Sequence, residues 1–194
     1  MSSSRMIAVA EEPQHAGAIA VEPSELLETA TDVRLQGLHL LFQLDDQAYS
    51  RIAPAPFNAS VGSHFRRVLE RLRCLTNDFR PGEIDYDAPE RNARLEQQVV
   101  YASVACCDLL RAFKKLTKDS LNNDCVVVCS GANEGHSSSP VQSTLGRELE
   151  YCIGHALHHF DIIRLICDSM HIRVPREFGD ASAARRVLSG LVAH

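Results

Sequence analysis

One stretch constrains this 194-residue chain more than any other: Ser143 to Met170, STLGRELEYCIGHALHHFDIIRLICDSM. It has no Pro and only two Gly, Gly146 in the first turn and Gly154 beside His155. Leu145, Leu149, Cys152, Ala156, Ile163, Ile166 and Met170 recur at spacings of four and three, the stripe of a helix buried in a bundle. His159 takes the one place in the stripe where an apolar residue is due, and His155 lies one turn earlier. Residues four apart are neighbours on a helix face. Two imidazoles so placed can reach one metal ion at about 2.0–2.1 Å. The rival reading is a pair of hydrogen-bonded core or surface histidines. His158, three residues after His155, could compete as a ligand, but the inward phase favours His159.

Three further amphipathic segments share the four–three spacing. The first opens at Pro23 with Ser24 as a cap and runs to about Tyr49, with Leu26, Ala30, Val33, Gly37, Leu40 and Leu44 inside. Asp45 and Asp46 stand at its C-terminal end, where the helix dipole disfavours anions. The second, capped by Asn58 or Ser60, carries Val61, Phe65, Val68, Leu72, Leu75 and Phe79. His64 lies on the inner edge of that stripe, while Arg66, Arg67, Glu70 and Arg71 read as outer-face residues. The third runs from about Pro89 to Leu116 through Leu95, Val99, Ala102, Cys106, Leu109 and Phe113.

The expected fold is therefore all-α: an antiparallel four-helix bundle. A small irregular β-hairpin, made by CVVVCS from Cys125 and a return near Pro140 to Gln142, precedes the last long helix. Residues 1–22 read as a flexible tail and residues 23–194 as one domain, ending in a short helix over Ala181 to Val192. The segment GEIDYDAPERNARLE reads as a polar loop. Within it Tyr86, Asp87 and Arg91 are candidates for contact with a small-molecule substrate at the bundle mouth.

Composition excludes several classes. Net charge is −5 without a dense basic cluster, which argues against nucleic acid as a partner. No apolar run reaches membrane-spanning length, and the N-terminus makes a poor secretory signal. Seven cysteines, several on core stripes, read as reduced buried thiols in a cytoplasmic setting. Ala156 stands where a zinc-protease HExxH motif needs Glu. His64, His155 and His159 can together form a three-nitrogen site for a divalent metal. An open fourth position would serve an activated thiol or water.

GSHFRRVLERL around His64, the loop GEIDYDAPERNARLE and STLGRELEYCIGHALHH resemble the DinB/YfiT-like superfamily over roughly Leu26 to Phe178. The resemblance implies a DinB-like four-helix bundle with its metal triad at His64, His155 and His159, and zinc or nickel as the metal. It also implies a transferase that uses a low-molecular-weight thiol, and packing as a homodimer. Relatives often carry Arg and Gln after the last ligand; here Phe160, Asp161 and Ile162 follow. A metal-dependent hydrolase and a non-catalytic metal-binding or assembly protein are the alternatives.

Overall fold

The computed structural model describes residues 22–76, 82–87, 91–128 and 140–180. The expected tail up to residue 21, the final helix from 181, Phe79, Pro89 and Cys129 lie outside them. The described chain is mostly helical. Its long helices are α1 (Pro23–Leu41), α3 (Val61–Cys74), α5 (Val99–Phe113) and α6 (Leu145–Ser169). Short helices α2 (Asp46–Ser50) and α4 (Ala93–Gln97) lie between them. The long helices close a ring of contacts: α1 on α5 and α6, and α3 on α5 and α6. The apolar stripes point into this ring. Leu40, Val61, Leu95, Ala102, Leu149, Ala156, Ile163 and Ile166 are all fully buried. Each large aliphatic side chain so buried contributes about 1.5–3 kcal/mol.

The first helix ends earlier than its apolar period suggests. Asp45 leaves helical geometry and caps α2, accepting from the Ala48 N–H at 2.7 Å. Its neighbour Asp46 accepts from the Val99 N–H at 2.7 Å, at the first residue of α5. The acidic pair that looks misplaced at the end of one helix thus caps the starts of two others. The expected single helix from 89 to 116 likewise divides. Asn92 caps α4, and Gln98 adopts extended geometry before α5 begins.

Ser60 caps α3 in a reciprocal box with Ser63, at 3.0 and 3.2 Å. Gly62 in that first turn lies against α4, where an added Cβ would stand 2.1 Å from the Glu96 carbonyl oxygen. Tyr49 fixes the same junction by donating to the Leu95 carbonyl at 2.6 Å. These contacts set where α3 begins, and with it the position of His64.

The expected two-stranded hairpin is instead a three-stranded mixed sheet in the order β1-β2-β3. β2 (Asp124–Val128) pairs antiparallel with β3 (Val141–Thr144), and Val126 faces Gln142. β1 (Glu83–Asp85) pairs parallel with β2, Ile84 opposite Val127. Part of the segment read as a polar loop is therefore a strand. Ile84 anchors it in a small apolar cluster with Cys74 and Cys125. Thr144 ends β3 and caps α6, accepting from the Arg147 N–H at 3.3 Å.

Candidate functional site

α3 and α6 face each other, and the three expected histidines meet where they do. His64, in the first turn of α3, places its Nδ1 2.8 Å from the Nδ1 of His159 on α6. The His155 and His159 ring centroids are 4.5 Å apart in an edge-to-face arrangement. His159 is buried, His64 and His155 are half-buried, and His158 is exposed although its centroid lies 5.5 Å from that of His159. Phe65 and Phe160, next in sequence to His64 and His159, pack on each other at 5.8 Å. Phe160 in turn stacks on Phe178 at 4.4 Å.

All three rings favour the neutral state. Burial lowers the pKa of His159 to about 3, followed by the effects of His155, His64, His158 and Arg67. Burial, then Arg71, His158 and Arg67, lowers that of His155 to about 4. His64 is lowered as well, by burial and then by Arg67 and His158. The 2.8 Å contact is a hydrogen bond, so one Nδ1 donates and the other accepts. Two nitrogens on one tetrahedral zinc would stand farther apart, about 3.3 Å. Among the described residues no group of three His, Cys, Asp or Glu side chains is positioned to share an ion as it stands. The donor chemistry nevertheless fits a metal: neutral imidazoles from facing helices, with the His155 Nδ1 buried and without any hydrogen-bond partner.

A chain of contacts leads outward from the histidines. On α6, Glu148, Tyr151 and His155 follow at spacings of three and four, one helical face. Glu148 is buried and accepts from the Ser143 hydroxyl at 2.6 Å and from the Tyr86 hydroxyl at 2.7 Å. Tyr86, just past β1, also has its hydroxyl 3.6 Å from Cys152 Sγ. Burial drives the Tyr86 pKa far upward and that of Cys152 to about 12, so both stay protonated. The Arg71 guanidinium lies over the Tyr86 ring, 4.5 Å from its centroid. Arg66, Arg67, Glu70, Arg71, Tyr86 and His155 line a pocket of about 240 Å³.

Of the expected substrate contacts, only Tyr86 borders this pocket. Arg91 instead pairs with Glu96 at 2.8 and 2.9 Å. Asp87 is exposed, its N–H donating to Asp85 at 2.9 Å. The arginines read as outer-face residues belong to the pocket. The signal was in the spacing: Arg67 and Arg71 stand three and seven residues after His64, on its own side of α3. A larger cavity of about 710 Å³, lined by Cys74, Glu83, Ile84, Lys115 and Cys125 among others, includes none of the histidines. Its thiols are held protonated, Cys74 at about 11 chiefly by burial.

No protein-family model matches the chain. A curated protein of Rhizopus delemar named FK506-binding protein 5 is 32% identical over 97 residues, 50% of this chain and 25% of that protein. The chain thus spans about a quarter of that relative's length. Among solved structures, a DinB-like protein, YjoA of Bacillus subtilis, superposes with a TM-score of 0.58. The superposition covers 79% of this chain and 98% of YjoA, at 16% sequence identity. The arrangement of the helices and its likeness to YjoA together identify the fold of this chain as DinB-like.

Proposed function

We propose that the chain is a metal-dependent enzyme that transfers a low-molecular-weight thiol to an electrophilic small molecule. His64, His155 and His159 would hold a divalent ion, zinc or nickel. The observation that carries this reading is the approach of three imidazoles to one another, with His155 bordering a pocket and its buried Nδ1 left unpartnered. The DinB-like fold supports a metal-binding role. Once bound, such an ion would let a thiol lose its proton at neutral pH.

The protein's own groups supply the rest. Neutral imidazoles at pH 7 each keep one lone pair for ligation, that of the acceptor in the His64–His159 contact being released when an ion displaces the hydrogen bond. His159 itself is buried, as are Phe65 and Phe160, the neighbours in sequence of His64 and His159. Tyr86, held by Glu148, and Arg71 present fixed polar groups at the pocket wall. The closed ring of long helices is read here as the antiparallel four-helix bundle of the family. A cytoplasmic setting and a homodimer belong to the same proposal. The six described cysteines are all free thiols, as a reducing compartment would keep them. No helix among the described residues is long and apolar enough to cross a membrane.

The test is thiol consumption against a generic electrophile, before and after chelation. Activity lost to the chelator and restored by zinc or nickel is expected. Ester turnover without any thiol would support hydrolysis instead. Metal binding without either turnover would support the non-catalytic alternative.

A further inference from the structure

The pocket beside the histidines has more positive charge than its own carboxylates take up. Three guanidiniums and one carboxylate line it. Arg66 is committed, paired with both Glu70 and Glu96. Among the described residues, neither Arg67 nor Arg71 has a carboxylate partner. Arg71 is instead held by aromatic faces, 4.5 Å from the Tyr86 centroid and 5.7 Å from that of Tyr151. Face-on stacking fixes a guanidinium while leaving its in-plane N–H groups to bind an oxyanion. The support beneath it is rigid: Ser143 and Tyr86 both donate to the buried Glu148, which fixes the ring on which Arg71 rests.

We infer that Arg67 and Arg71 hold the carboxylate of a small anionic ligand whose other end reaches the histidines. The inference deepens the proposed function by naming the charge class of the molecule bound at that site. A guanidinium matches a carboxylate through paired N–H donors. The volume, about 240 Å³, lies below the usual range for a whole drug-sized ligand, so it takes a small acid or the acidic end of a longer one.

Mercaptoacetate, mercaptoethanol and glycolate are the probes, titrated calorimetrically into metal-free and zinc-loaded protein. To metal-free protein, both acids bind at least about tenfold tighter than mercaptoethanol, because a charged hydrogen-bonded pair is at stake. Arg71→Gln removes that preference and Arg67→Gln reduces it several-fold, the exposed Arg67 serving as the control for folding. Acids and alcohol binding alike, or a preference untouched in both variants, overturns the inference. The zinc-loaded arm tells the two sources apart. A further gain for mercaptoacetate over glycolate assigns the carboxylate to the thiol, and equal binding assigns it to the acceptor. Acid binding in a protein that takes up no metal upholds this inference while removing the metal reading.

Discussion

His155 carries an unmet demand: a buried ring nitrogen with no partner. A buried polar atom left unsatisfied costs about 1–3 kcal/mol. Replacing the ring should therefore act in opposite directions on stability and on ligation. His155→Leu is expected to raise the urea midpoint of the metal-free protein, by about 1 kcal/mol in unfolding free energy, and to abolish metal uptake. A lowered metal-free midpoint would show that the imidazole is satisfied after all. Acid should act on the same side chains. His155 and His159 titrate near 4 and 3 in the fold, against about 6.5 in an unfolded chain. Between those values the unfolded state binds more protons, so stability falls with falling pH. Urea midpoints of the metal-free protein should hold steady above pH 6.5 and drop progressively from about 6.5 to 4. His159→Ala should flatten part of that slope.

At the scale of elements, junctions matter more than helix interiors. Asp46→Ala removes the acceptor for the Val99 N–H and should cost about 1 kcal/mol, read from chemical denaturation. Gly62→Ala puts a methyl group into the Glu96 carbonyl and should cost more, about 1–3 kcal/mol or beyond, by forcing α3 from α4. It should also weaken metal uptake, since His64 is two residues away. The helices were legible because apolar residues at four and three mark a buried face: Leu26 to Leu40, Val61 to Leu72 and Leu149 to Ile166 are buried as their spacing requires. The breaks near residue 42 and at Gln98 were not legible. Neither Gly nor Pro marks them, and each depends on a side-chain acceptor for the start of the next helix, Asp45 for α2 and Asp46 for α5. β1 escaped notice because three residues show no period and its partner strand lies some forty positions away.

Across the whole molecule, the candidate site joins helices far apart in sequence, so occupancy should register as global stability. If the ion binds only the folded chain, a thousandfold excess over its dissociation constant adds about 4 kcal/mol. Chelation should lower the melting temperature, and zinc or nickel should restore it, with His158→Ala behaving as wild type. That His64, His155 and His159 come together was legible in their inward phase on two helices. The arginine pocket was missed because a charged residue beside a core stripe is ordinarily a solvated one. Only the partner side chains Tyr86 and Tyr151, brought in by β1 and α6, show what holds Arg71. The most direct test of the account is the metal content of protein purified after exposure to zinc and nickel and then extensively desalted. The account predicts close to one divalent ion per chain, lost in His64→Ala, His155→Ala and His159→Ala alike. Wild-type protein that retains no transition metal, or variants that all retain it, would contradict the account.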